Sequence, residues 1–514
     1  MAVVRVSPSP DVQARGSGND AAGSELFILI AIAALLALAH IATNGRYEFH
    51  RDELQFLSDA RHLDWGFVAY PPFTPFIVHL GLSIFGLSLI GLRLFSVLAQ
   101  AVVIVISGKM ARDFGGSRVA QVATAISVGL SGLPMFEATE FQYTSFSFLW
   151  WILVCWCTVR LLKTDNPRWW IGIGFAIGLG LMTKYSLVFF VIGLLVGLAL
   201  SRARRYFLDP WFWGGVLVCL VIFSPNILWL IRHDFVSYHF LQHIHARDVG
   251  EGRADGYWTL QLLLDANPFA IPLCLIGLVA FFRESRYRML AWMYVVPVLV
   301  FWINKGRFYY VAEAYPIMIA MGAAVVERWL ARRSSALRLT LESAYFVGVL
   351  AAGALAAALL VPIATSGSLH DFALKNNGDL REEIGWDDLV RSVATVRDSL
   401  PAEQQSNYGI LVGNYGEAGA IENLGGPYHL PPPISLTNSF YLRSYPAVPP
   451  SALIVIGWSQ QEAGRDFTGC RNAGRISNQL GVKNEESQQH PNIFVCGPPR
   501  QGWPDFWKTH QRFG

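Results

Sequence analysis

At 514 residues the chain is long enough for several soluble domains, yet 53% of it is hydrophobic, 15% is charged and its mean hydropathy is +0.37. Ordinary globular proteins carry roughly 25% charged residues, so a wholly soluble protein is excluded. A net charge of +3 and a pI near 8.5 give neither a nucleic-acid footprint nor an acidic tail, so nucleic acid is not an expected partner.

The first element, residues 1–24, is rich in Ser, Gly, Pro and Ala and is expected to be a disordered cytoplasmic tail. Leu26 to Ala42 follows without Asp, Glu, Lys or Arg, about long enough to cross ~30 Å of hydrocarbon. A cleaved signal peptide is the rival reading, helped by Ala37-Leu38-Ala39. The long preceding tail, and a run exceeding the usual length of roughly 7–15 residues, favour a retained anchor. Next comes YEFHRDELQFL at 47–57, which gathers Glu48, His50, Arg51, Asp52 and Glu53 where the chain leaves lipid. Carboxylates at such a boundary are costly unless solvated, paired or functional. Apolar Leu54, Leu57, Ala60 and Leu63 with polar residues between them predict a helix in the interface plane, stopped by Pro71 and Pro72. Interfacial helices are expected over about 52–85.

Further apolar runs lie near 88–107, 119–136, 141–161, 169–183, 186–200, 211–231, 257–282, 289–303, 309–327 and 341–363. With the first they make about eleven spans. One set of alternate loops carries Lys109, Arg112 and Arg118; Lys163 and Arg168; Arg202, Arg204 and Arg205; Arg283, Arg286 and Arg288; then Arg328, Arg332, Arg333 and Arg338. By the positive-inside rule these loops are cytoplasmic. The opening charged stretch, the His-rich loop 232–256, the turn around Lys305 and everything beyond 363 then share the outer face.

From 364 to 514 the composition is that of a soluble domain. YGILVG at 408–413, SALIVIG at 451–457 and NIFVCG at 492–497 read as buried strands, and 386–399 and 415–424 as helices, so a small α/β domain is expected. Cys470 and Cys496 lie in this exported part, where oxidising conditions favour a disulfide. GNYGEAG at 413–419 lacks the GxGxxG spacing and suits packing or acceptor recognition better than a nucleotide. His239 and His243, spaced i, i+4, raise a metal reading, but there is no HExxH. No cofactor is therefore assigned, and a divalent metal stays an open alternative.

The run RDELQFLSDARHLDWGFVAYPPFTPFIVHL, with LRLFS at 92–96, ARDFGG at 111–116, LMTKYS at 181–186, SPNILWLIRHDF at 224–235, GRFYYVAEAYPIMIAMGA at 306–323 and IGWDDLV in the tail, resembles one family in particular. It is similar to the bacterial glycosyltransferases related to protein O-mannosyltransferases, lipid A aminoarabinose transferases and rhizobial lipopolysaccharide galacturonosyltransferases. The resemblance implies the polytopic GT-C fold of residues 25–363, set in a bacterial inner membrane, with its active site and the 364–514 domain periplasmic. It also implies a polyprenyl-phosphate-linked sugar as donor and a lipid, glycan or protein hydroxyl as acceptor. In that family the acidic residue of the first outer loop is the proposed base, which maps onto Asp52, with Glu53 as the second member of the pair.

The chemistry requires a group to take the acceptor proton and cations to receive the departing lipid phosphate. Arg51, Arg61, Lys184, Lys305 and Arg307 are the outer-face candidates for that phosphate. Tyr70, Pro71, Pro72, Tyr309, Tyr310, His233 and His243 are candidates for the walls of a sugar and lipid groove. A polytopic lipid or sugar transporter or flippase is the rival, weakened by the lack of a visible internal repeat.

Overall fold

The computed structural model describes residues 10–514, with side chains from Gly23 onward. The tail expected at 1–24 thus falls partly outside the described residues; from Pro10 its backbone is helical and continuous with the first span. α1 (Pro10–Thr43) leads through two short helices, α2 (Arg51–Arg61) and α3 (Phe73–Phe85), into α4 (Leu89–Asp113). α5 (Arg118–Gly129), α6 (Gly132–Thr139), α7 (Tyr143–Thr164), α8 (Trp169–Leu181) and α9 (Leu187–Ala199) follow. α10 (Pro210–Arg232), α11 (Val236–Gly250), α12 (Tyr257–Leu260), α13 (Ile271–Arg283), α14 (Arg288–Ile303), α15 (Tyr315–Leu330) and α16 (Ser335–Leu360) complete the helical part.

Among the described residues six helices are long and apolar enough to cross a bilayer, or nine if each of three bent pairs is one span. α8 and α14 are shorter apolar helices, so every run expected from the sequence has a helical counterpart. The starts follow local chemistry: Ser88 accepts from Gly91 N at 3.2 Å, and Asp209 accepts from Trp211 N at 2.9 Å just ahead of Pro210. α13 and α15 pack backbone to backbone, because a Cβ on Gly277 would lie 2.1 Å from the Met318 carbonyl. Small residues allow such close approach where lipid supplies no hydrophobic drive between helices.

Two expectations for the first outer loop need correction. α2 does not lie on a lipid surface: Leu54, Leu57 and Ala60 are buried, but so are Glu53, Gln55, Ser58 and Asp59 on its polar side. That side finds partners in the C-terminal domain, with Asn423 donating to Ser58 Oγ at 3.0 Å and Arg443 donating to Asp59 at 2.6 Å. Pro71 and Pro72 do not stop α2 either; it ends at Arg61, and Pro72 instead precedes the first residue of α3.

The C-terminal part holds a five-stranded sheet of order β2-β1-β3-β5-β4, built from β1 (Tyr408–Val412), β2 (Pro433–Ser435), β3 (Ala452–Ile456), β4 (Arg471–Arg475) and β5 (Asn492–Cys496). β1 runs parallel to β2 and β3, while β5 runs antiparallel to β3 and β4. Helices span Trp386–Asp398 and Tyr415–Leu424. β2 and β4 were not legible in the sequence: the first is three residues long, and the second, RNAGR, is too polar to read as a strand. Cys470 and Cys496 form a disulfide at the start of β4 and the end of β5.

One apolar core joins the two parts of the chain. Leu54, Phe56 and Phe141 pack in the same cluster as Trp386, Ile410, Ile421 and Ile454. The glycines of GNYGEAG serve this junction: a Cβ on Gly419 would lie 2.7 Å from the Leu54 backbone, and one on Gly416 would lie 3.1 Å from Arg51 Cβ. The helix Tyr415–Leu424 therefore lies directly on α2.

Candidate active site

α2 is opened by His50, whose Nδ1 accepts from Asp52 N at 3.3 Å, while Glu53 reaches back to His50 N at 2.7 Å. Both Glu53 oxygens are fully engaged. Oε1 accepts from Phe141 N and Arg93 Nε, each at 2.8 Å, and Oε2 accepts from Arg93 Nη2 at 2.8 Å besides His50 N. Arg93 is completely buried and also donates to Glu383 at 3.2 Å and to the Asn44 carbonyl at 2.9 Å. Glu53 thus anchors the start of α2 and has no free lone pair aimed at a substrate.

Asp52, one position earlier, is only partly buried. Its Oδ1 accepts from Tyr415 Oη at 2.7 Å and its Oδ2 from Gln142 Nε2 at 3.1 Å. Burial pushes its carboxyl up, but His50, the hydrogen bonds from Tyr415 and Gln142, and Arg51 outweigh burial and hold it below the usual carboxylate value. Asp52 is therefore an ionised, oriented carboxylate at neutral pH.

Behind it lie two further acids. Glu140 Oε2 is 3.4 Å from Gln142 Nε2 and 3.7 Å from His50 Nδ1. Glu140 and Glu383 act on each other electrostatically. Burial, then Glu383, Asp379 and Glu53, push Glu140 well up, and burial offset by Arg93 brings Glu383 to about 7. One Arg93 stands against Glu53, Glu140 and Glu383, and burial with mutual repulsion favours the protonated form of the last two.

Of the five phosphate candidates, Lys184 is the one placed facing this region. It sits between α8 and α9 with its Nζ 4.8 Å from the Tyr310 ring, 5.4 Å from Tyr143 and 5.9 Å from Tyr309. Among the described residues no carboxylate lies within 4.0 Å of that Nζ. Tyr143 in turn stands over α2, 6.2 Å from Phe56 and 6.1 Å from Tyr70. Arg307 borders the same tyrosines, but Asp248 holds it through two bonds of 2.6 Å, with a third to Tyr309 Oη at 3.0 Å.

The other candidates are placed elsewhere. Arg51 turns toward the C-terminal domain, paired to Glu485 and 4.9 Å from the Tyr415 ring centre. Arg61 donates to Asn423 at 3.0 Å. Lys305 is exposed and lines a separate hollow of about 590 Å³ with Trp258 and Trp302. Tyr70 is buried and donates to Asp59 at 2.5 Å, and Pro71 and Pro72 are buried beside it. His233 stacks on Trp229 at 4.1 Å and His243 lies 5.8 Å from Phe513. Tyr309 and Tyr310 are brought to Lys184.

Among the described residues no three His, Cys, Asp or Glu side chains are arranged to hold a metal ion.

Sequence reasoning missed Gln142, Tyr143, Tyr415, Arg93, Glu140 and Glu383 as members of this set. Arg93 and Tyr415 lie inside quoted motifs, LRLFS and GNYGEAG, but nothing local indicates that two such distant segments meet at the start of α2, on Glu53 and Asp52 respectively. Glu48, in the same charged stretch, is paired rather than solvated. It accepts from Gly385, Trp386 and Asp387 N at 2.7–3.1 Å, at the positive end of the helix Trp386–Asp398.

Comparison with known proteins finds one family and several relatives. Residues 69–229 match the family described as dolichyl-phosphate-mannose-protein mannosyltransferase. The chain is 28% identical over 301 residues to undecaprenyl phosphate-alpha-4-amino-4-deoxy-L-arabinose arabinosyl transferase 1 of Pseudomonas fluorescens strain Pf0-1. That match covers 55% of this chain and 52% of the relative, so it spans about half the length of that transferase. It is 24% identical to the lipid A galacturonosyltransferase RgtD of Rhizobium johnstonii, over 68% of this chain and 73% of the relative. ArnT from Cupriavidus metallidurans superposes in its apo state with a TM-score of 0.56 at 14% identity, covering 93% of this chain and 98% of that one.

Proposed function

This chain has the GT-C membrane fold and is related in sequence to undecaprenyl-phosphate sugar transferases; from that premise we propose that it moves a sugar from a polyprenyl-phosphate donor to a hydroxyl, or similar nucleophile, of a lipid A-type glycolipid on the outer face of the bacterial inner membrane. The observation that carries the reading is Asp52: an ionised carboxylate with each oxygen fixed by one donor, at the junction of both parts of the chain, with Lys184 held in a tyrosine cage nearby.

In the proposed step the acceptor hydroxyl gives its proton to Asp52 while its oxygen bonds to the anomeric carbon. The bond from that carbon to the phosphate oxygen breaks, and the electron pair leaves with the polyprenyl phosphate. Attack opposite the leaving group inverts the anomeric centre. Lys184 receives the phosphate charge that develops, a role for which a point charge suffices. Arg307, held by Asp248, sets the position of Tyr309. Glu53 acts by fixing His50, Arg93 and the Phe141 backbone, not by touching substrate. No general acid is needed, because a phosphate is a good leaving group, unlike the alcohol of a glycosidase substrate.

The relatives' names favour transfer over transport. The test is incubation of the full chain with labelled undecaprenyl-phosphate sugars and lipid A, comparing wild type with Lys184→Met. Loss of transfer in a folded variant supports the reading, and transfer at the wild-type rate removes Lys184 from it.

A further inference from the structure

α9 begins beside Lys184 and α14 ends beside Lys305, so Leu200 and Arg288, at their other ends, lie on the face away from Asp52. After α9 the chain bends by 104° into the short turn Arg202–Leu208, started by Ser201 accepting from Ala203 N at 3.2 Å. Under this bend is a hollow of about 480 Å³ lined by Leu200, Ser201, Arg202, Arg204, Ser285 and Arg288. No carboxylate lines it.

Several, though not all, of the other basic residues in the basic loops have acidic partners. Arg112 is 3.4 Å from Glu25, Arg160 and Lys163 are each 3.0 Å from Asp113, Arg205 is paired with Asp165, and Arg338 is 2.8 Å from Glu342. Among the described residues, none of Arg202, Arg204 and Arg288 has a carboxylate within 4.0 Å. Three like charges around one hollow repel one another unless an anion joins them, and guanidinium geometry matches phosphate oxygens. The apolar surroundings identify the kind of anion. Val188, Ile192 and Leu195, spaced i, i+4, i+7, form an exposed stripe along α9 that leads to Leu200 at the rim. On the other side Leu208 is 90% exposed, which suits lipid better than water.

We propose that this hollow binds the phosphate-bearing headgroup of an anionic phospholipid, in the leaflet opposite Asp52, with its acyl chains along α9. Basic pockets between spans on the cytoplasmic side are a general device for headgroup recognition. The site is independent of sugar transfer and needs none of the residues around Asp52.

Native mass spectrometry of the full chain, titrated with phosphatidylglycerol or with phosphatidylcholine of the same acyl chains, tests it. Three surface cations should give about a hundredfold preference for the anionic lipid, with about fivefold lost in each of Arg202→Gln, Arg204→Gln and Arg288→Gln. The triple variant should bind both lipids alike, and millimolar inorganic phosphate should not displace phosphatidylglycerol. Equal binding of the two lipids by wild type, an undiminished preference in the single variants, or displacement by inorganic phosphate, which would mark a free-anion site, each overturns the proposal. The single variants and the phosphate competition decide the matter even if the triple variant does not fold.

Discussion

At Asp52 the decisive question is what keeps a carboxylate ionised in a half-buried position. Tyr415 and Gln142 each donate to one oxygen, and together with His50 and Arg51 they overcome the cost of burial. A base of this kind works only when ionised, so activity rises as pH climbs through its pKa. Removing the Tyr415 hydroxyl in Tyr415→Phe takes away a bond that favours the charged form and raises that pKa. The acidic limb of the kcat/KM profile should then move to higher pH, with activity near neutrality largely kept. A variant that merely lost structure would fall at every pH. Glu383 titrates in the opposite sense. Its pKa is raised from 4.5 to about 7 on folding, so its contribution to stability is complete below about 4.5 and is lost as pH rises through about 7. Glu383→Gln should flatten the decline in melting temperature over that window, as read by thermal melts in detergent from pH 5 to pH 8.

Among elements, α2 is the one whose placement changes the reading of the sequence. Its apolar positions 54, 57 and 60 were legible as a single helical stripe, and that stripe is buried as expected. The partners of the polar face were not legible, because a sequence shows residue types and not their distant partners. Ser58, Asp59 and Gln55 meet Asn423, Arg443 and Asn438, more than three hundred residues later in the chain. For the same reason Glu53 read as half of a catalytic pair, whereas Arg93 and two backbone amides occupy it entirely. The contact that holds α2 is glycine-dependent. Gly419→Ala would place a methyl group against the Leu54 backbone, which cannot rotate away. A loss of about 1–3 kcal/mol is expected, seen as a lower melting temperature and faster proteolysis after Leu424, with transfer activity reduced because Tyr415 rides on the same helix.

Over the whole molecule, the membrane part and the C-terminal part act as one structure. The helical spans and the α/β character of the last third come from local composition, and these were readable before any coordinates. The shared core of Leu54, Phe141, Trp386 and Ile454 was not, since long-range packing leaves no periodic trace in either segment. This union gives the C-terminal domain a structural role: it supplies Tyr415 to Asp52 and covers α2. Tyr143 links the two parts of the proposed site, 5.4 Å from Lys184 Nζ and 6.2 Å from Phe56 of α2.

The most direct test is single-turnover transfer of a radiolabelled sugar from its undecaprenyl-phosphate carrier, with wild type and Asp52→Asn matched for folding by melting temperature. The amide keeps the shape of the site and cannot take the acceptor proton, so the account expects a fall of roughly 10²–10⁴-fold in rate with donor binding largely retained. Transfer by the Asn variant within about threefold of wild type, or a loss explained wholly by weaker donor binding, would contradict it.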